Sequence, residues 1–129
     1  MIEKDWITDA GLRAVVLALP LGHRCGYVAV PHEHPAYGKG YDDVDVEAHG
    51  GLTYAGGEDE YPAEGSGLWW FGYDCAHYLD APDPALMHER HKELYSLNLM
   101  ILSEGATVKD TAYCVAECES LAKQLKELT

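Results

Sequence analysis

The sequence predicts an α+β fold: an antiparallel sheet of four or five strands with an amphipathic C-terminal helix packed on one face. Two observations predict the sheet, namely the apolar, β-branched runs between residues 12 and 30 and the aromatic run GLWWFGYDCAH. A third predicts the helix, because apolar residues near the C-terminus recur at helical spacing. The chain has 129 residues, of which 47% are hydrophobic, so we expect a single domain over residues 1–129.

The segments LRAVVLAL and CGYVAV predict a β-hairpin with a connection of about four to five residues around Pro20 and Gly22. The stretch PHEHPAYGKGYDD follows and predicts a surface loop, since it contains two prolines and two glycines. His32 and His34 in this loop are spaced to lie on one side of an extended segment. They are candidate metal ligands, and solvated loop histidines are the alternative.

The segment DVDVEAH predicts a half-buried strand, because apolar and polar residues alternate along it. The inward set is Val44, Val46 and Ala48, and the outward set is Asp43, Asp45, Glu47 and His49. Gly50 and Gly51 then allow a bend before LTYAG. The segment from Gly56 to Gly67 predicts a mobile loop able to act as a lid, since it is acidic and lacks periodicity.

The run GLWWFGYDCAH predicts a central strand with aromatic residues on both faces. One face carries Trp69, Phe71, Tyr73, Cys75 and His77, and the other carries Trp70, Gly72, Asp74 and Ala76. A weaker helical pattern covers residues 87–102. The C-terminal helix is the clearest, with Thr107 and Asp110 as a capping box and one apolar stripe: Cys114, Cys118, Leu121, Ala122, Leu125 and Leu128.

The charge balance excludes several classes of function. Nine basic residues against 22 acidic ones give a formal charge of −13, and the chain contains no basic cluster, so nucleic-acid binding is not expected. The N-terminal residues resemble no export signal, and no apolar run approaches the ~20 residues that a membrane span needs. We therefore expect a cytoplasmic protein, with no membrane partner and with its four cysteines reduced.

Four stretches together resemble a family of small uncharacterised proteins from bacteriophages and prophages: LPLGHRCGYVAVP, YDDVDVEAHGGLTYAG, WWFGYDCAH and AYCVAECESLAKQL. The most specific of these motifs are HGGLTY and WWFG(F/Y)DCAH. The resemblance implies a phage or prophage origin and a setting in the cytoplasm of an infected bacterium. It implies no activity and assigns no residue a role.

Three kinds of site compete in the region from residue 41 to residue 80. The first is a divalent-metal site for Zn, Mn or Mg, because carboxylates and imidazoles from neighbouring strands are suitable ligands. It draws on Asp45, Glu47, His49, Asp74 and His77, and the predicted ligands are the last four of these. The second makes Cys75 a nucleophile, with His49 or His77 as its base and Asp74 orienting that base.

The third is a small-molecule pocket without catalysis, in which aromatic rings stack a planar ligand and polar groups bind its edge. Tyr73 is a further candidate for stacking, and the predicted ligand-binding residues are His49, Tyr54, Trp70, Asp74 and His77. Core packing is the alternative for the aromatic residues, and we expect it for Trp69 and Phe71.

The sequence therefore favours a phage accessory protein that binds a host protein, a small metabolite or a signalling nucleotide. An acidic protein of this size can compete for basic surfaces on host factors. The alternative function is a small metal-dependent hydrolase with a His/Asp site centred on His49 and Asp74.

Overall fold

The computed structural model describes residues 1–57, 61–64, 67–77, 79–86 and 106–128. Within these ranges the strands are β1 (Ile2–Ile7), β2 (Arg13–Ala18), β3 (Arg24–Val30), β4 (Tyr54–Gly56), β5 (Trp69–Asp74), β6 (Asp80–Ala81) and β7 (Thr107–Val108). A 3-10 turn covers Pro84–Leu86, and helix α1 covers Thr111–Glu127. The first five strands form one antiparallel sheet in the order β1-β2-β3-β5-β4. The α+β prediction is confirmed.

The predicted hairpin is β2 and β3, which pair antiparallel and are joined by residues 19–23. β1 was not predicted. It pairs with β2 at the edge of the sheet, and Lys4 and Asp5 on it are exposed. Exposed charges are common on edge strands because they discourage pairing with another chain, and they also weaken the apolar pattern that reveals a strand.

β5 lies between β3 and β4 and sends alternate side chains to opposite faces of the sheet. Phe71 and Tyr73 pack on the helix side together with the buried stripe of α1, whereas Trp70 joins a second cluster on the other side. This confirms both the predicted faces of the aromatic run and the predicted helical stripe. Leu128, just beyond the helix, is half-buried against the same core.

The segment DVDVEAH is not a strand, and this part of the prediction is wrong. Its backbone pairs instead with a side chain of α1: the Glu47 N–H donates to Gln124 Oε1 at 2.7 Å, and Gln124 Nε2 donates to the Glu47 carbonyl at 2.8 Å. The alternation itself is correct, since Val44 and Val46 are half-buried against the core and Asp45 is exposed. A side-chain amide thus replaces the neighbouring strand that the pattern suggested.

The helix begins one turn later than predicted. Asp110 is its N-cap, with the side chain accepting a hydrogen bond from the Tyr113 N–H at 2.8 Å. Thr107 lies before the helix in β7, which pairs in parallel with β6. This short pairing brings the start of α1 next to the residues that follow β5.

Two predictions fall wholly or partly outside the described residues. The helical pattern over residues 87–102 is outside them, as are residues 58–60 and 65–66 of the predicted lid. Within that loop, Ala63 is buried and Tyr61 packs edge-on against Tyr27. The loop therefore has an apolar anchor that its composition did not reveal. No helix in the described part of the chain has the length and apolar character needed to cross a membrane.

Candidate functional site

A buried carboxylate, Asp80, is the centre of a polar cluster beside the start of α1. The side chain of Asp80 is only 1% exposed. His49 Nε2 lies 2.8 Å from both of its oxygens, the backbone N–H of His77 donates to Oδ2 at 2.9 Å, and Lys109 Nζ lies 3.3 Å from Oδ1. Three groups, from His49, His77 and Lys109, therefore share one anion.

These partners keep Asp80 ionised. Burial by itself raises the pKa of Asp80, because it disfavours the charged form. The hydrogen bonds from the His77 N–H, from His49 and from Lys109 outweigh burial and hold the pKa below its usual value of 3.8. A buried anion with these donors attracts cations.

His49 connects the carboxylate to the helix. Its Nδ1 lies 2.7 Å from the Tyr113 hydroxyl, while its Nε2 faces Asp80. Burial, followed by the charge of Glu117, raises the pKa of Tyr113, so the phenol keeps its proton and donates to Nδ1. His49 then carries its own proton on Nε2 and donates it to Asp80.

One ring nitrogen of His77, Nδ1, makes no hydrogen bond to the described residues. This nitrogen is buried, and it lies 3.4 Å from Asp80 Oδ2 and 3.7 Å from Asp74 Oδ1. The ring packs directly on Gly50, where an added Cβ would come within 2.3 Å of Cε1. Gly50 also has φ +67°, a conformation that favours glycine. A side chain at position 50 would therefore clash with the His77 ring and strain the backbone, so the predicted bend requires glycine there.

The arrangement can hold a metal ion. One ligand atom from each of His49, His77 and Asp80 lies within 4.8 Å of the other two. Two imidazoles and a carboxylate are the ligand set of many catalytic zinc sites, in which a further position is left for water or substrate. The His77 side chain is 37% exposed, which gives solvent access to this side of the cluster.

The other two predicted metal ligands lie around this set and not in it. The Asp74 carboxylate already accepts hydrogen bonds from Thr53 Oγ1 at 3.0 Å and from the Ala76 N–H at 3.1 Å. Glu47 is exposed and lines a polar cavity of about 290 Å³ beside His49. The lining of that cavity is Glu47, Ala48, His49, Glu117, Ser120 and Gln124. A larger cavity of about 430 Å³, beside Asp9 and Glu119, contains no member of the Asp80 cluster, so we place the chemistry at the smaller one.

The predicted aromatic platform lies elsewhere. Trp70 is 0% exposed and packs with the half-buried Tyr54 on the face of the sheet opposite α1. Tyr73 is also buried, and its hydroxyl donates to the Cys114 carbonyl at 2.8 Å. The structure therefore brings His49 and His77 together but separates both from Trp70 and Tyr54.

Cys75 lies in the core, 2% exposed, with its Sγ 3.7 Å from Cys114 Sγ. Its hydrogen bond to Cys114 and its burial raise the pKa of the Cys75 thiol, which is the opposite of what a nucleophile needs. The loop histidines do not form a site together: His32 stacks on Tyr37, and His34 Nε2 lies 2.7 Å from the Leu125 carbonyl.

Sequence reasoning missed three members of the cluster. Asp80 had a local signal, since it follows His77 by three residues, where its carboxylate can accept the His77 N–H. Lys109 and Tyr113 had none, because they reach the site only through the pairing of β6 with β7 and the start of α1.

Comparisons with protein-family models, curated proteins and solved structures found no match to this chain. We therefore infer the function from the geometry of the cluster around Asp80.

Proposed function

We propose that this chain is a phage or prophage accessory protein that holds a divalent cation of the zinc type through His49, His77 and Asp80. We further propose that it uses this centre to bind and hydrolyse a small substrate in the bacterial cytoplasm. Two observations carry the proposal: one ligand atom from each of the three residues lies within 4.8 Å of the other two, and His77 Nδ1 is buried without a hydrogen-bond partner in the described residues. The phage origin rests on the motif resemblance alone.

Charge favours a cation at this position. Asp80 is ionised and nearly fully buried, and Glu47 and Glu117 line the adjoining cavity. A bound zinc ion would supply an acidified water or polarise a carbonyl or phosphoryl oxygen. The chain itself supplies the rest: Tyr113 orients His49, and Gly50 leaves room for the His77 ring.

Lys109 competes with the metal. Its ammonium group lies 3.3 Å from Asp80 Oδ1, so it already neutralises part of the charge that a dication would use. We expect Lys109→Met to tighten zinc binding by roughly tenfold, because it removes a like charge close to the ion. Unchanged or weaker binding in this variant would contradict that competition.

In the first experiment, the protein is treated with a chelator and titrated with Zn²⁺. Zinc binding is measured by calorimetry and by native mass spectrometry. Wild type should bind one equivalent, and His77→Ala should lose it while remaining folded by circular dichroism. His32→Ala is the matched control, because it removes an exposed histidine outside the cluster. Equal binding by wild type and His77→Ala would overturn the metal site.

Hydrolysis is tested separately with activated esters and phosphate esters. Turnover should disappear with chelator, return with Zn²⁺ and be absent from His77→Ala. Stoichiometric zinc binding without any zinc-dependent turnover would limit the function to metal binding.

A second candidate is binding to a basic surface of a host protein, and its support is the formal charge of −13 with an exposed acidic row in residues 42–47. The row consists of Asp42, Asp43, Asp45 and Glu47. A variant that neutralises Asp43 and Asp45 should lose capture of a basic host protein and keep its zinc. If neither this variant nor added salt changes capture, the acidic row is excluded as the binding surface. For a small metabolite or signalling nucleotide, the cavity beside His49 is the space that supports binding.

A further inference from the structure

The thiols of Cys75 and Cys114 lie in direct contact inside the core. Their Sγ atoms are 3.7 Å apart, and both side chains are buried. A disulfide needs an S–S distance of about 2.05 Å, so the sulfurs must approach by less than ~2 Å. The two residues are 39 positions apart in the chain and come from different elements.

The pairing is selective among the four cysteines. Cys118 Sγ lies 3.6 Å from the Tyr73 hydroxyl, and Cys25 packs in the cluster on the opposite face of the sheet. Cys75 directly follows β5, where its N–H donates to the Arg24 carbonyl at 2.9 Å, and Cys114 lies in the first turn of α1. Both backbones are therefore held in place while the two sulfurs face each other.

We propose that Cys75 and Cys114 form a redox-responsive pair that becomes a disulfide when the protein meets hydrogen peroxide, and that this bond locks the end of β5 to the start of α1. Cys114 Sγ attacks one peroxide oxygen, the O–O bond breaks, and a sulfenic acid and one water form. The Cys75 thiol, which keeps its proton until this step, then attacks the sulfenic sulfur in contact with it and passes that proton to the departing hydroxyl, so the S–O bond breaks and a second water leaves. In sum, two thiols and one peroxide give one disulfide and two waters.

The Cys75–Cys114 disulfide would join two segments of the chain that also carry residues of the polar cluster around Asp80. Cys75 precedes His77 by two residues, and Cys114 follows Tyr113, which orients His49. The lock is independent of whether the cluster binds a metal, because neither sulfur is a member of it.

The test is peroxide treatment of the folded full chain, alkylation of the remaining thiols, and trypsin digestion without reductant. Wild type should yield peptide 40–90 linked to peptide 110–123, with a loss of two hydrogens that dithiothreitol reverses. Because peptide 110–123 also contains Cys118, the Cys118→Ala variant assigns the bond to Cys114. Cys25→Ala should likewise keep the link, and Cys75→Ala should abolish it while remaining folded.

The proposal is overturned if folded wild type gives sulfinic acids without a link, if Cys118→Ala loses the link, or if the link forms only after unfolding in urea. A link that persists in Cys75→Ala would also exclude it. Circular dichroism of each variant before treatment ensures that a lost link reflects a lost thiol and not a lost fold.

Discussion

The two faces of the sheet bury polar groups in different ways. On the helix side, the rim of the core contains a buried anion, Asp80, with imidazole, ammonium and backbone donors around it. On the other side, the aromatic face consists of tyrosine rings around Trp70, and the polar atoms of these rings are neutral. Its ion pair, Asp5 with Arg13, is partly exposed. The buried Asp80 anion thus lies on the helix side, whereas the opposite side buries the neutral ring of Trp70.

The difference follows from β5, which supplies both faces. Its alternate residues go to opposite sides, so Trp70 cannot share a pocket with Phe71 or Tyr73. Trp70 Nε1 has no hydrogen-bond partner among the described residues, whereas Tyr73 donates to the Cys114 carbonyl. One aromatic run can therefore look like a single binding platform in sequence and still supply two unrelated clusters.

The largest expected effect is at Asp80. Asp80→Ala leaves the Lys109 ammonium and the His77 N–H without their anion, and we expect it to lower the free energy of unfolding by about 3 kcal/mol. Urea unfolding at neutral pH measures this. Asp74→Ala is the matched control on a partly exposed carboxylate and should cost about 1 kcal/mol. Equal losses of unfolding free energy in the two variants would show that the buried Asp80 carboxylate stabilises the fold no more than Asp74 does.

Burial of the segment before His49 predicts the next effect. Val46 is half-buried against the helix-side core, so Val46→Asp places a charge there and should cost about 2 kcal/mol. Asp45→Asn changes an exposed side chain and should leave the thermal midpoint unchanged. A large effect of Asp45→Asn would show that the segment faces the other way.

A pair of hydroxyl deletions compares the two faces directly. Tyr73→Phe removes a buried hydrogen bond on the helix side and should cost about 1 kcal/mol in urea unfolding. Tyr61→Phe removes the hydroxyl that pairs with Tyr27, but Tyr61 is 40% exposed, so water can replace part of this bond. Its cost should be smaller, and the reverse order would show that the aromatic face depends more on its polar atoms.

The smallest effect concerns the ion pair between Asp5 and Arg13. The Arg13 guanidinium carbon lies over the Trp70 ring, 5.5 Å from the ring centroid. The hydrogen bond from Arg13 lowers the pKa of Asp5 below 3.8, against a smaller opposing effect of burial. A lowered pKa stabilises the fold above pH 3.8, and this contribution is lost as the pH falls below that value. Because the pair is partly exposed, Asp5→Asn should cost only about 0.5 kcal/mol at pH 7.

Unfolding free energies of wild type and Asp5→Asn, measured from pH 7 down to pH 3, should therefore converge at the acid end. A difference that grows toward low pH would mean that the ion pair does not stabilise the aromatic face.

The sequence by itself determined which side of β5, of α1 and of the segment before His49 faces the core. The two faces of β5, the apolar stripe of α1 and the inward position of Val44 and Val46 all follow from period 2 or period 3.6, which are local properties of the backbone. The sequence also predicted that His49 and His77 lie close together, because each follows an apolar segment next to a turn, and their ring centroids are 5.7 Å apart.

Only the tertiary structure decided what covers each face and which groups meet. Whether residues 43–49 pair with a strand or with the Gln124 amide depends on an element 77 positions away, and the periodicity is the same in both cases. Asp80, Lys109 and Tyr113 converge on His49 because β6 pairs with β7 and α1 starts beside them. Periodicity gives the direction of a side chain, but its partner is set by long-range packing, which no local pattern contains.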